Sequence, residues 1–175
     1  MSADELQELQ ESAEHAHHNP SLAPVSLTMA VLAVLVAVAS LLGHRAHTEE
    51  VVLQAKSSDQ WSYYQAKNIR QHEDELFVAA NGAGGAAGVR EKYAQEAERY
   101  KKEKDEIQEK ARDLEHEVDV ERRRANRYDL AEVFLEIGLV ITSITLLSGK
   151  RIFWYLGIVM SVVGVVVTAM GAMVH

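Results

Sequence analysis

The chain has no cysteine. That excludes disulfides, thiol catalysis and Cys-ligated zinc, and it leaves the redox compartment open. Proline occurs only twice, and residues 44–130 contain none, so a helix begun there meets no proline break. Lys and Arg are missing from residues 1–24, which carry five acids. An acidic leader is the wrong n-region for a signal peptide, so the apolar run after it reads as a retained span. No region is basic enough to bind nucleic acid. Neither a Ser-His-Asp order nor a nucleotide motif occurs, and no enzyme, cofactor or catalytic residue is expected.

What is present is segregated. At 175 residues and 47% hydrophobic content the totals would suit an ordinary domain. The apolar residues instead fall in two blocks, Val25 to Leu42 and Leu130 to Val174. The first, V-S-L-T-M-A-V-L-A-V-L-V-A-V-A-S-L-L, is 18 residues without a charge, close to the roughly 20 needed to cross a bilayer as a helix. The second divides at Ser148-Gly149-Lys150-Arg151, a turn short enough to force an antiparallel pair of spans. Residues 44–130 carry 19 acids and 16 bases. The sequence therefore predicts an all-α membrane protein: three transmembrane helices, with a long antiparallel two-helix coiled-coil hairpin between the first and second.

The expected divisions are an acidic, His-bearing segment at 1–24 with a short amphipathic helix, a first span at 25–43 and a first arm at 44–80. A Gly-rich turn at 81–88, a second arm at 89–130, a second span at 131–148, a basic turn at 149–151 and a third span at 152–174 complete the chain. Asn81 to Gly88 holds four glycines in eight residues, but its spacing matches no phosphate-binding loop and no strand precedes it, so it reads as a connector. At 1.5 Å per residue the arms would be about 55 and 63 Å long.

The second arm shows a heptad seam at Tyr93, Ala97, Tyr100, Lys104, Ile107, Ala111, Leu114, Val118, Glu121, Ala125 and Tyr128. On the first arm Val51, Ala55, Ser58, Ser62, Gln65, Ile69, His72 and Leu76 run at the same 4-3 spacing. Pairing Leu76 with Tyr93, Ile69 with Tyr100, Ser62 with Ile107 and Ala55 with Leu114 keeps the sum of facing numbers constant and centres the turn in the glycines. That seam leaves Ser57, Trp61, Tyr64 and Asn68 on the flank at i, i+4, i+7 and i+11. Exposed Trp and Tyr with hydrogen-bonding neighbours have the composition of an interface hot spot, so this stripe is expected to meet another copy of the chain. The alternative is a broader core with Trp61 packed over the seam edge near Glu109 and Arg112.

The segment S-S-D-Q-W-S-Y-Y-Q-A-K-N-I-R-Q-H resembles the signature of a family of bacterial membrane proteins classed as a domain of unknown function. Asp59, Gln60, Trp61, Tyr63, Tyr64, Gln65, Ala66 and Lys67 match its D-Q-W-x-Y-Y-Q-A-K helix position by position. L-L-G-H-R-A-H-T-E-E, Y-D-L-A-E-V-F-L-E-I-G and R-I-F-W-Y-L-G are similar to the ends of its spans. The resemblance covers nearly the whole chain and implies a multi-pass protein of the bacterial inner membrane; it implies no chemistry. Relatives often carry basic residues before the first span, and this chain does not.

Three further groups stand out. Gly157, Ser161, Gly164, Thr168 and Gly171 place small residues at 4-3-4-3 spacing in the third span, a helix-association face either within the bundle or between subunits. Ala30, Ala33, Ala37 and Ser40 give the first span a weaker one. His44, Arg45, Asp129, Glu132 and Glu136 gather at one membrane boundary, where Arg45 pairing with Glu132 or Glu136 is expected; an ion or proton path through the two glutamates is the other reading. His15, His17 and His18 form a metal-like cluster with too few ligands, and a His-rich tail is expected instead.

The function expected is a non-enzymatic, homo-oligomeric scaffold or ring in the lipid bilayer. A small channel using Glu132 and Glu136 and an accessory subunit bound to another membrane protein are the alternatives. Lys150 and Arg151 favour a cytoplasmic turn, whereas Arg45, Arg122, Arg123, Arg124 and Arg127 favour a cytoplasmic hairpin; the larger count assigns the hairpin to the cytoplasm.

Overall fold

The computed structural model describes residues 22–80 and 87–174. The expected N-terminal amphipathic helix, His15, His17, His18 and most of the Gly-rich turn lie outside the described residues. Three helices account for nearly everything else: α1 (Ala23–Ala80), α2 (Ala87–Ser148) and α3 (Arg151–Ala172). The protein is all-α, with α1 and α2 antiparallel. Each helix contains a stretch long and apolar enough to cross a membrane.

α1 begins beyond Leu22, whose carbonyl accepts from the Val25 and Ser26 amides, and Thr28 Oγ1 donates back to the Pro24 carbonyl. It then runs 58 residues without interruption, through Gly43. α2 ends where Gly149 adopts φ +66 and donates its N–H to the Thr145 carbonyl at 2.9 Å. That left-handed C-cap is available to glycine at little cost, and it turns the chain directly into α3.

The described residues form two compact units, residues 22–48 with 120–174 and residues 49–80 with 87–119. In the first, α2 packs against both α1 and α3, and Trp154 Nε1 of α3 donates to Thr28 Oγ1 of α1 at 3.2 Å. Its buried line, Ala125, Tyr128, Ala131, Leu135, Gly138, Thr142 and Thr145, advances by threes and fours. Against α1, Leu135 packs with Val36 and Ala39, and Tyr128 and Ala125 with Ala46 and Leu42. Against α3 the contact is made by glycine. A Cβ on Gly157 would sit 2.8 Å from the Gly138 carbonyl oxygen, one on Gly164 2.7 Å from Leu135 Cγ, and one on Gly171 2.9 Å from the Tyr128 ring. The Gly157 Cβ would also lie 3.1 Å from the Thr142 amide nitrogen, and through Thr142, Leu135 and Tyr128 each seven-residue step up α3 is matched by seven down α2, so the small stripe at Gly157, Ser161, Gly164 and Gly171 faces α2 within the chain. Thr142 and Ser161 return their hydroxyls to the Gly138 and Gly157 carbonyls, which hides both polar groups at the crossing. The large aliphatics point the other way: Leu27, Val34, Val140, Leu147, Val159 and Val166 are exposed. Small residues inside and large apolar residues outside is the arrangement that hydrocarbon solvent permits and water penalises.

In the second unit the two arms of the hairpin pack lengthwise. From α2 the inward side chains are Ala97, Ile107, Ala111 and Val118, with Tyr93, Tyr100 and Lys104 half-buried, as the heptad predicts. From α1 they are Leu53, Ser57 and Gln71, with Trp61, Tyr64, Lys67 and Asn68 between them. This corrects the first-arm seam. Val51, Ile69 and Leu76 are 68%, 58% and 68% exposed, and Ala55, Ser58, Ser62, Gln65 and His72 are exposed as well. The true seam lies one residue away, a rotation of about 100°. A constant sum of facing numbers barely senses so small a shift, because it alters the sum by only one or two and leaves the turn where it was. Partners on α2 decide the phase: Trp61, Tyr64, Lys67 and Asn68 find acceptors and rings there, although the outer stripe holds more aliphatics.

Candidate functional site

The richest side-chain chemistry among the described residues lies on the D-Q-W-S-Y-Y-Q-A-K helix. With the phase set by Ser57 and Gln71, a 100° step brings Trp61, Tyr64, Lys67 and Asn68 toward α2 and leaves Asp59, Ser62, Tyr63, Gln65 and Ala66 outside. Trp61 Nε1 donates to Glu115 Oε1 at 2.8 Å. Its ring stands edge-on to Tyr64, with centroids 5.5 Å apart and planes at 79°. Lys104 of α2 holds its ammonium 5.8 Å from the Tyr64 ring and donates to Asn68 Oδ1 at 3.2 Å. Lys67, half-buried, reaches between two rings, 5.3 Å from Tyr63 and 4.8 Å from Tyr100, and pairs with Glu103. Arg99 covers the Tyr100 ring at 5.0 Å and pairs with Glu103 as well. Nearer the turn, Phe77 and Tyr93 stack at 4.2 Å. The result is a ladder in which cations of one arm are seated on aromatics and polar groups of the other.

Ser57, Trp61, Tyr64 and Asn68 were expected to await a second copy. They are the hairpin's own seam: Ser57 is 1% exposed and the other three are bonded or stacked toward α2. The broader-core alternative describes the packing better, with Glu115 rather than Glu109 or Arg112 as the partner of Trp61. Sequence reasoning overlooked Glu103, Glu115 and Arg99. Their signal was available, since an indole and an ammonium turned inward both require an acceptor on the facing helix.

The electrostatics follow from these contacts. The hydrogen bond to Glu103 raises the Lys67 ammonium above its ordinary value against the opposing effect of burial. The same bond, helped by the charges of Lys67 and Arg99, holds Glu103 below the usual carboxylate range. Gln71 and His72 hold Glu75 down. Asp74 goes the other way: burial raises it first, Glu96 and Glu73 add to the rise, and Arg99 opposes. Its Oδ2 and the neighbouring Gln71 Oε1 are buried acceptors with no donor.

In the three-helix unit, His47 Nε2 donates to Asp129 Oδ2 at 3.0 Å, and His44 Nδ1 to the Ser40 carbonyl at 2.9 Å. Gly43 makes room here, since a Cβ would meet Asp129 Oδ1 at 3.1 Å. Arg45 and Glu136 are exposed and Glu132 is half-buried. Arg124 donates through Nε and Nη2 to the Val174 carbonyl at 3.0 and 2.8 Å, and Arg127 donates to the Met170 carbonyl at 3.3 Å. Arg127 thus supplies one of the last carbonyls of α3 with a donor that its own last turn lacks, and Arg124 does the same for Val174 just beyond the helix. Of the α3 stripe, Gly157, Ser161, Gly164 and Gly171 are buried against α2 and Thr168 is half-buried. On α1, Ala33 is buried while Ala30 and Ala37 are exposed.

An all-α chain with three membrane-length apolar helices and a polar-laddered helical hairpin is the class these features define. Residues 21–174 match the model of one family, the domain of unknown function DUF4337. The chain belongs to that family. No curated protein and no solved structure matches it.

Proposed function

We propose that the chain is a non-enzymatic scaffold of the bacterial inner membrane that works as a homo-oligomer, its three apolar helices in the bilayer and its coiled-coil hairpin in the cytoplasm. The observation that carries this reading is where the signature side chains go. Trp61, Tyr64 and Lys67, the groups best suited to bind a ligand, are occupied in joining one arm to the other. A segment whose distinctive chemistry is directed to holding a long hairpin in register is a structural element, and polar groups in such a seam fix alignment. The outward aliphatic faces of the three-helix unit support the membrane location.

The mass of the detergent-extracted particle, corrected for bound detergent, tests the proposal. A multiple of 19.5 kDa is expected. A monomer overturns self-association, and a particle holding a second, different chain in fixed ratio replaces it with an accessory role.

A further inference from the structure

With Trp61, Tyr64 and Asn68 engaged by α2, α1 keeps a second face. The stripe through Val51, Ala55, Ser58, Ser62, Gln65 and Ile69 keeps its 4-3 spacing and stays exposed along its whole length, about 100° round the helix from the side that meets α2, continuing through His72 and Leu76. It carries no Asp, Glu, Lys or Arg, in an arm otherwise dense in them. Three aliphatics more than half exposed and a heptad spacing kept free of fixed charge describe a coiled-coil seam on the outside of the hairpin.

Resting on the self-association proposed above, we infer that this outer stripe docks on the same stripe of a second copy of the chain, parallel and in register. Pairing of layers selects the direction. A parallel pair sets Ile69 on Ile69 and Leu76 on Leu76, and gathers the serines and Gln65 into matched polar layers. An antiparallel pair about the middle of the stripe would still set Val51 on Leu76, but it would bury Ile69 on Ser58 and Ala55 on His72, so one aliphatic layer is lost and an imidazole faces a methyl. The flanks agree. With the stripe at a and d, the g-to-e' neighbours are Gln54 with Asp59, Trp61 with Ala66, Asn68 with Glu73 and Glu75 with Ala80 of the second copy, so two amides meet carboxylates and no acid faces an acid. Asn68 accepts from Lys104 through its oxygen, so that bond does not use its amide N–H groups. The same surface on both partners is the self-complementary pattern of a two-fold dimer.

Because the chain holds no cysteine, single-cysteine variants of the full chain report this contact directly. Ala55→Cys, His72→Cys and, on the exposed outer face of α2, Lys102→Cys are oxidised in native membranes and resolved by mass. Ala55→Cys and His72→Cys should each yield a disulfide-linked dimer, and Lys102→Cys none, since the bond needs Cβ atoms brought within roughly 4 Å of each other. A dimer that forms only when the Ala55→Cys and His72→Cys chains are mixed overturns the parallel register. Linkage equal at all three positions overturns the stripe, as does linkage to a different protein. No linkage at 55 and 72 from a particle that remains multimeric overturns the stripe but leaves the scaffold standing, whereas a monomeric mass overturns both.

Discussion

Trp61 shows how one side chain can be read two ways from its neighbours. Its indole is large enough for an interface and polar enough to need an acceptor, and only the facing helix decides which property is used. With Nε1 bonded to Glu115, Trp61→Phe removes that donor while keeping most of the ring's buried area. The expected cost is about 1 kcal/mol of hairpin stability by denaturant unfolding followed by circular dichroism. A variant as stable as the parent would show that the bond contributes nothing. Asp74 carries a clearer signature. An acid whose folded value is raised binds more protons folded than unfolded, so it costs stability at neutral pH, a cost that fades as pH falls through the raised value. Asp74→Asn should therefore raise the melting temperature at pH 7, with the gain shrinking under acid conditions; a gain independent of pH would point to some other cause. Glu103 and Lys67 have the opposite signs. Depressed Glu103 contributes at neutral pH and loses its contribution as pH falls through its folded value, while raised Lys67 keeps its contribution until pH rises through its own.

Among the elements, α3 depends most on what it lacks. Its contact with α2 is made at glycines whose added Cβ would strike backbone: at Gly157 the Gly138 carbonyl, at Gly164 the Ala131 carbonyl at 3.0 Å. Backbone cannot rotate aside as a side chain can, so Gly157→Ala must push the helices apart, at a cost of about 1–3 kcal/mol typical of overpacking. Gly88 provides the comparison, since nothing lies within 4 Å of a Cβ there, and Gly88→Ala should be neutral or stabilising by about 0.5–1 kcal/mol. Thermal unfolding of the two variants in one detergent checks the contrast, and equal melting points would contradict the close crossing. The 4-3 spacing of Gly157, Ser161, Gly164 and Gly171 was legible as an association face. Whether that face met a helix of the same chain was not, because small residues permit close approach to any partner. The arginine cap on α3 was hidden for a related reason: Arg124 and Val174 are 50 residues apart, and no local pattern links them.

At the scale of the molecule, acids outnumber bases by eight. With a sequence pI near 5.5, the solubilised particle should show a minimum of colloidal stability close to that pH, since net charge is what keeps particles apart. Light scattering across pH 4–8 checks it, and a flat profile would show that detergent rather than protein charge governs association. The sequence by itself determined the helix content, the apolar stretches long enough to cross a membrane, the break at Gly149 and the heptad of the second arm. Hydrophobic spacing, glycine and charge are local properties, and one helix suffices to express them. The tertiary structure alone decided the phase of the first arm. Two 4-3 stripes lie one residue apart on α1, the outer one richer in aliphatics and the inner one in Trp, Tyr, Lys and Asn. Which is buried depends on the acceptors and rings that α2 presents at Glu103, Glu115, Lys104 and Tyr100. Those partners are set by pairing across the hairpin, so the choice between seam and surface is a property of two helices together, and the first arm's own residues could not state it.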